Sequence, residues 1–262
     1  MYSKKIKTNR KKKMKSNRKT FGIIIIGNEI LSGKTLDTNS HLICAQLNNV
    51  GMVCKEIVTI SDVEKIISEK VNLFRKKFDF VFTTGGIGPT HDDKTSSAIS
   101  DAFDDPLKLN REAKKRLEKH YSDDVLTNAR LKMAYIPSKA KLIDNPVSIA
   151  PGFYLENVYV FPGVPKILEV MLLDVIKKFK KNQKQFIKKI ITTTLSEGII
   201  GEYLESVQNK FIDLEIGSYP YFKKNSFGVS LVITGECTKR VKEVCDLLMM
   251  YLDKNNGNPR LF

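Results

Sequence analysis

A glycine-rich segment that ends in two adjacent aspartates is the part of this sequence best suited to chemistry. It reads TTGGIGPTHDDKT and spans residues 83–95. Its glycines permit positive φ angles and let a ligand approach bare backbone, and the amides of a following helix attract an anion. Asp92 and Asp93 repel each other unless a cation lies between them, which suits a hydrated Mg²⁺ also held by substrate phosphates. The segment therefore combines donors for a phosphate with ligands for its metal.

The same acidic residues also have a purely structural interpretation. Asp92 or Asp93 could cap the helix predicted to follow, a contribution of about 1 kcal/mol, and the helix dipole favours acids there. Asp62 is a natural cap of the next predicted helix along the chain, and Asp37 and Asn39 are placed to cap another. Both interpretations stay open for each acid alone, whereas the whole glycine-rich string favours ligand binding.

A second segment looks like a phosphate-binding P-loop. It reads FGIIIIGNEILSGKT and spans residues 21–35. A P-loop has four residues between its two glycines, so that successive amides surround the phosphates. Here five residues separate Gly27 from Gly33, and Glu29 would set a negative charge against a triphosphate. We therefore interpret the segment as a buried strand followed by a loop.

The hydrophobic pattern predicts alternating strands and helices. Short apolar runs at 21–27, 52–60 and 78–84 are typical of buried strands. Helical periodicity follows them, at residues 39–50, 63–77, 94–103, 110–120 and 164–180. This alternation predicts an α/β fold with a mostly parallel sheet that is covered by helices on both faces.

The predicted topology brings polar residues together. Ligands of open α/β sheets bind beyond the carboxyl ends of the strands. The first predicted strand leads into residues 27–29 and then into the DTNS segment at 37–40. The second strand is followed by Asp62, and the third by the glycine-rich segment. If the sheet is parallel, these groups share one rim, which is the central prediction.

The charge distribution predicts a tail and two domains. Residues 1–20 contain ten Lys or Arg and no acid, which leaves 34 bases against 29 acids, a net charge of +5, for the rest of the chain. Such a tail is predicted to be disordered, with a weak RNA contact or a targeting peptide as alternatives. A Lys-rich connector at 177–186 places a domain boundary near residue 182, between domains at 21–181 and 182–262. The second domain is predicted to be a small α+β domain of pattern β-α-β-β-α.

Composition excludes several classes of protein. No apolar run approaches the roughly 20 residues that a membrane span needs, so no membrane association is expected. The four cysteines form no C-x-x-C pair and no metal-finger spacing, which is typical of buried thiols in a reducing compartment and predicts a cytoplasmic location. Because the basic surplus lies in the tail, nucleic acid is not expected to be the main partner.

Four motifs together resemble a known family, the molybdopterin-binding (MoaB/Mog-type) domain. Within it, the resemblance is to the branch of competence/damage-inducible protein A (CinA), which is shared with the N-terminal domain of eukaryotic FAD synthase. The resemblance implies a three-layer α/β/α core and a homo-oligomer, either a dimer or a trimer. It extends into the second half of the chain, where EIGSYP at 215–220 resembles the short domain that follows the core. The motifs are GNEILSG (27–33), DTNS (37–40), TTGGIGPTHDDKT (83–95) and FPGVP (161–165).

The resemblance also implies roles for individual residues. In the cofactor-synthesis members, the matching positions bind a pterin and its phosphate. Gly85, Gly86 and Thr90 correspond to residues of the substrate loop. Asp93 corresponds to the acid linked to magnesium and adenylyl transfer, and Asp62 to a second functional acid.

For the CinA branch, the implied activity is divalent-metal-dependent hydrolysis of a nucleotide pyrophosphate such as ADP-ribose or FAD. We predict Asp93, Asp62 and Glu29 as catalytic residues, and Asp92 and Asp93 as ligands of Mg²⁺, Mn²⁺ or Co²⁺. The alternatives are a protein that binds molybdopterin or a nucleotide without turnover, and an RNA-associated protein. The predicted substrate-binding residues are Gly27, Asn28, Asp37, Asn39, Ser40, Thr84, Gly85, Gly86, Gly88, Thr90, Pro162 and Gly163.

Overall fold

The computed structural model describes residues 18–121, 126–180, 186–223 and 226–262. Within these ranges the chain forms two compact units, one inside Arg18–Gln183 and the other inside Lys184–Phe262. Residues 1–17 of the predicted tail lie outside the described residues. The same holds for residues 181–185, where the connector and the domain boundary were expected.

The first unit is built on a six-stranded sheet. Its order is β2-β1-β3-β8-β7-β6, and a separate pair of strands, β4 and β5, runs antiparallel. The strands are β1 (Thr20–Ile26), β2 (Val53–Ile60), β3 (Phe80–Thr84), β4 (Leu107–Leu109), β5 (Tyr135–Pro137), β6 (Lys141–Ile143), β7 (Gly152–Leu155) and β8 (Val158–Phe161). The helices are α1 (Asn28–Leu31), α2 (Asn39–Asn49), α3 (Glu64–Lys77), α4 (Thr95–Phe103), α5 (Arg111–His120), α6 (Asn128–Leu131) and α7 (Pro165–Lys180), and a 3₁₀ turn spans Lys132–Ala134.

Alternate side chains of β1 serve two hydrophobic cores, one on each face of the sheet. Ile24 and Ile26 pack in a cluster that contains buried residues of α3 and α4. Ile23 and Ile25 pack in a second cluster that contains residues of α2 and α7. Because successive side chains of a strand point to opposite faces, the continuous apolar run of β1 is what a central strand between two helical layers requires. The predicted three-layer α/β/α arrangement is confirmed.

The four strands on one side of the sheet run parallel. β1 pairs in parallel with β2 and with β3, and β3 pairs in parallel with β8. Only β7 reverses the direction, since it pairs antiparallel with β8 and with β6. The carboxyl ends of β1, β2, β3 and β8 therefore lie along one edge of the sheet, as the central prediction required.

The short elements were not predicted. The helices α1 and α6 have four residues each, and the strands β4, β5 and β6 have three. Segments of this length are shorter than the windows over which hydrophobic periodicity can be recognised, which are about 11–18 residues for a helix and 4–8 for a strand.

The second unit is a small α+β domain. Its antiparallel sheet has the order β10-β11-β9-β12. Buried residues of α8 and α9 pack with Ile191, Leu231 and Ile233, which lie on one face of this sheet. The pattern is that of a ferredoxin-like unit, and it adds one short strand to the predicted β-α-β-β-α order. The elements are β9 (Ile187–Thr193), α8 (Glu197–Lys210), β10 (Glu215–Lys223), β11 (Ser226–Gly235), α9 (Thr238–Lys254) and β12 (Arg260–Leu261).

Two further expectations concern the membrane and the cysteines. Within the described ranges, every helix is too short or too polar to cross a lipid bilayer. All four cysteines carry free thiols, but the predicted burial is wrong for three of them: Cys245 is buried, Cys44 and Cys54 are half-buried, and Cys237 is exposed.

Candidate functional site

The ends of β1 and β2 are tied together at the rim of the parallel sheet. The backbone N–H of Gly27 donates to the Ile60 carbonyl oxygen at 3.1 Å, and the backbone N–H of Asn28 donates to Asp62 Oδ2 at 2.8 Å. The Asp62 carboxylate therefore holds the turn into α1, and it makes no side-chain cap to α3. Glu29 follows Asn28 on α1 and is exposed.

Asn39 connects three segments of the rim. Its side chain is only 7% exposed, and Nδ2 donates to Thr84 Oγ1 at 2.9 Å and to the Gly163 carbonyl oxygen at 2.7 Å. The Thr84 hydroxyl group donates in turn to the Pro162 carbonyl oxygen at 2.9 Å. We call Asn39, Thr84, Pro162 and Gly163 the buried anchor. It joins the start of α2, the end of β3 and the loop after β8.

Asp37 and Ser40 have a more local arrangement. Asp37 Oδ1 accepts a hydrogen bond from the backbone N–H of Ser40 at 3.0 Å. Asp37 therefore caps the start of α2, as the structural interpretation predicted. Asn39, in contrast, is not a cap, because its side chain is used by the buried anchor.

The glycines after β3 occupy positions that other residues would not tolerate. Gly85 has a φ of 106° and Gly86 a φ of 68°. A Cβ atom on Gly85 would lie 2.0 Å from the Ile26 carbonyl oxygen, and one on Gly86 would lie 2.3 Å from Thr95 Oγ1. Thr95 holds this loop, because its hydroxyl group donates to the Gly85 carbonyl oxygen and its backbone N–H to that of Gly86, both at 2.9 Å. We call residues 85–88 the glycine loop. It passes directly over the end of β1.

The two aspartates lie in a closed turn. The backbone N–H and the hydroxyl group of Thr90 donate to Asp93 Oδ2 at 2.8 and 2.6 Å. The backbone N–H of Asp93 donates to the Thr90 carbonyl oxygen at 3.3 Å. We call residues 90–93 the acid turn. The predicted capping alternative is not seen, because α4 has no side-chain cap. A Cβ atom on Gly88 would lie 2.7 Å from Asp93 Oδ2, so a side chain there would displace this carboxylate.

Asp92 differs from Asp93 because it projects from the tip of the turn into solvent. Its pKa is lowered from the ordinary value, first by the neighbouring Thr90 side chain and then by its own backbone N–H, with His91 and Lys132 adding positive charge nearby. Asp92 is therefore an ionised carboxylate that is open to a ligand.

The acid turn suits a metal that is shared with a ligand. Across the described ranges, no group of three or more His, Cys, Asp or Glu side chains could enclose a metal ion. Asp92 is exposed, and Oδ1 of Asp93 accepts no hydrogen bond from the described residues. One or two carboxylates, with waters and substrate phosphates completing the shell, are the usual protein ligands of Mg²⁺. The residues present therefore fit a magnesium ion that arrives with a phosphorylated ligand.

Lys132 is a residue of the site that sequence reasoning missed. It begins the 3₁₀ turn, and its Nζ donates to the carbonyl oxygens of Thr90 and Asp93 at 2.6 and 2.8 Å. It lies about 40 residues beyond the acid turn along the chain, with no motif around it. No local signal could have identified it.

Two surface cavities of about 350 and 400 Å³ lie on the first unit, one beside Arg116 and Asp144 and one beside Val170 and Leu173. Neither is lined by a residue of the rim.

The structure brings most of the predicted residues to the rim of the parallel sheet. The segments after β1, β2, β3 and β8 are linked by the contacts described above. Among the described residues, no hydrogen bond joins Glu29 or Asp62 to the acid turn, so their role as a base stays a prediction. The roles of the other residues as substrate or metal ligands also stay predictions.

The parallel sheet, the glycine loop over its edge and the acid turn define an α/β domain with a candidate small-molecule site. Residues 22–181 match the family described as a probable molybdopterin binding domain, and residues 185–259 match the middle domain of FAD synthase. The first match covers more than half of the chain, so this chain belongs to the molybdopterin-binding domain family.

Individual relatives support the predicted branch. A protein of Archaeoglobus fulgidus is 36% identical over 200 residues, which cover 76% of this chain and 85% of that protein. A probable FAD synthase of Caenorhabditis briggsae is 34% identical over 253 residues, covering 87% of this chain and 48% of that protein. The chain thus spans about half the length of that relative.

A solved structure points to the same branch. The structure of CinA from Thermoplasma acidophilum, described as a protein with unknown function, has a TM-score of 0.58 and 34% identity to this chain. It covers 61% of this chain and 98% of its own. The predicted resemblance to the CinA and FAD synthase branch is confirmed.

Proposed function

We propose that this protein hydrolyses a nucleotide pyrophosphate of the ADP-ribose or FAD type and depends on a divalent metal ion. The observation that carries the proposal is the acid turn, which presents two carboxylates beside a glycine loop at the edge of a parallel sheet. Backbone amides at such an edge bind phosphates, and carboxylates bind the metal that accompanies them. The similarity to FAD synthase and CinA supports a nucleotide rather than another phosphate ester.

Each group of the rim has a distinct task in this reaction. The backbone around Gly86 and Gly88 would bind the diphosphate, and Asp92 and Asp93 would hold Mg²⁺, Mn²⁺ or Co²⁺. When bound, the metal supplies polarisation of a phosphoryl oxygen and a more acidic water. The water oxygen attacks one phosphorus atom, and the bridging P–O bond breaks, so that ADP-ribose gives AMP and ribose 5-phosphate.

The proton of the attacking water needs an acceptor. Asp62 uses Oδ2 to hold the Asn28 backbone N–H, so its Oδ1 is the atom that would take the proton. Glu29 is exposed on the adjacent helix and is the second candidate. General base catalysis of this kind typically contributes a factor of 10² to 10⁴ in rate.

A second candidate is a protein that binds molybdopterin or a nucleotide without turnover. The family description of residues 22–181 favours it. A homo-oligomer, dimer or trimer, belongs to either proposal. The exposed apolar side chains of Val170 and Leu173 on α7 support it, and light scattering after size exclusion would measure it.

The deciding experiment incubates the purified protein with ADP-ribose, FAD and related dinucleotides, each with Mg²⁺, Mn²⁺ or Co²⁺, and separates the products by chromatography. We expect release of AMP from at least one substrate, abolished by EDTA and restored by the metal. A ligand that raises the melting temperature without forming a product would favour the binding function instead. Neither product nor thermal shift from any compound would refute both.

A further inference from the structure

Lys132 is the described side chain outside the acid turn that holds this turn most closely. Its ammonium group donates to the carbonyl oxygens of Thr90 and Asp93, the first and last residues of the turn. Lys132 itself is half-buried, so it contacts the face of the turn that is directed toward the protein and not the face directed toward solvent. The two hydrogen bonds connect a segment beyond α6 with the loop after β3.

The choice of atoms determines what Lys132 can do. It binds backbone oxygens and leaves the carboxylate oxygens of Asp92 and Asp93 available to a metal. A hydrogen bond from a charged donor to a carbonyl oxygen is shorter and stronger than a neutral one. The turn is therefore held in one shape before any ligand arrives, which reduces the ordering that binding would require.

Charge adds a second effect. The positive charge of Lys132 lies near Asp92, and it partly offsets the repulsion between the two carboxylates. An ammonium group has three N–H donors, and the described residues accept only two of them. The third N–H and the charge are thus available to an anionic ligand on the rim.

We infer that Lys132 is a positioning residue that orders the acid turn for a metal-bound diphosphate. This inference deepens the proposed function and rests on it for the nature of the ligand. Lys132→Met should raise the KM for ADP-ribose with Mn²⁺ at least tenfold and change kcat less than threefold, because the carboxylates that take part in the reaction remain. Lys132→Arg should restore most of the affinity, since a guanidinium can donate to both carbonyl oxygens.

The control is Lys115→Met, which removes an equal charge from an exposed site on α5 and should leave KM unchanged. Hydrogen–deuterium exchange of the ligand-free protein provides a readout independent of turnover. The amides of residues 88–93 should exchange at least tenfold faster in Lys132→Met than in the wild type, with an unchanged melting temperature.

The outcomes separate the two ideas. If the wild type neither binds nor cleaves any dinucleotide, the proposed function fails, whereas the exchange experiment still decides whether Lys132 orders the turn. An unchanged exchange rate in Lys132→Met would overturn the inference. So would a loss confined to kcat, or an Arg variant as impaired as the Met variant.

Discussion

The buried anchor and the acid turn lie on the same rim but are built in opposite ways. The two side chains of the anchor are enclosed: Asn39 is 7% and Thr84 1% exposed, and they bind each other and the backbone of Pro162 and Gly163 after β8. The acid turn is open: Thr90 and Asp92 are exposed, and Asp93 is only partly covered. Lys132, which contacts the turn, is also partly covered. In the anchor, Asn39 Nδ2 and the Thr84 hydroxyl group donate hydrogen bonds that join three segments, while Asn39 Oδ1 is buried without a partner among the described residues. The turn leaves carboxylate oxygens for a ligand.

This difference predicts that substitutions in the two parts of the rim affect different properties of the protein. Buried polar groups cost stability unless they are hydrogen-bonded, so changes in the anchor and its glycines should lower folding stability first. Changes at the exposed turn should lower ligand or metal binding and leave folding nearly unaffected. The predictions below test this division, from the largest expected effect to the smallest.

Gly85→Ala should have the largest effect. Its φ of 106° is unfavourable for alanine, and the new Cβ would lie 2.0 Å from the Ile26 carbonyl oxygen, a backbone atom that cannot turn away. Strain and overpacking together should cost about 4 kcal/mol of folding free energy, measured by urea unfolding. Gly33→Ala is the matched control, because Gly33 has a φ of 72° with open space around it and should lose only about 1 kcal/mol. Equal losses would show that the close approach to β1 does not matter.

Asp93→Asn should act on chemistry and spare the fold. The amide oxygen of asparagine can still accept both hydrogen bonds from Thr90, whereas the charge that would bind the metal is lost. We expect AMP release from ADP-ribose to fall at least 100-fold, about 2.7 kcal/mol in activation free energy, with a melting temperature close to that of the wild type. Asp101→Asn, at an exposed site on α4, serves as the control. Normal turnover by Asp93→Asn would exclude Asp93 from the reaction.

Asn39→Ala should destabilise the protein by about 2 kcal/mol, because it removes one buried and one partly buried hydrogen bond, those to Thr84 Oγ1 and to the Gly163 carbonyl oxygen. Chemical denaturation measures the loss, and Asn48→Ala on the exposed side of the same helix should change it by less than about 0.5 kcal/mol. If the two variants were equally stable, the anchor would not be a structural element.

Asp92→Asn should have the smallest effect, on metal affinity alone. Removing one of two carboxylate ligands should raise the Mn²⁺ concentration for half-maximal activity roughly tenfold. The pKa of Asp92 is lowered from 3.8, so the wild-type carboxylate stays charged as the pH falls from 7 to 5. The ratio between wild type and variant should therefore be the same at both pH values, and a ratio that shrinks toward pH 5 would contradict this.

Local patterns predicted the features that depend on neighbouring residues. The apolar run of β1 indicated a central strand, and the glycines of residues 83–95 indicated a loop with positive φ angles, because both features follow from short-range sterics and burial. The Asp37 cap was foreseen for the same reason. The four parallel strand ends follow from the alternation of strands and helices.

Other features depend on contacts between distant segments. Asn39 could equally have capped α2, and only the position of Gly163, 124 residues further along the chain, shows that it bridges instead. Lys132 gave no signal because its partners, the Thr90 and Asp93 carbonyl oxygens, are backbone atoms that any residue type would offer. For the same reason the sequence also allowed Asp93 to be a helix cap, whereas in the structure it accepts hydrogen bonds from Thr90 and closes a turn.

The most direct test of the account is a crystal structure of the protein with ADP-ribose and Mn²⁺, using anomalous scattering to locate the metal. The account predicts one Mn²⁺ ion bound by Asp92 or Asp93 and by the diphosphate, with the diphosphate on the amides of the glycine loop beside the buried anchor. An ordered nucleotide or metal bound elsewhere, with the acid turn left empty, would contradict it.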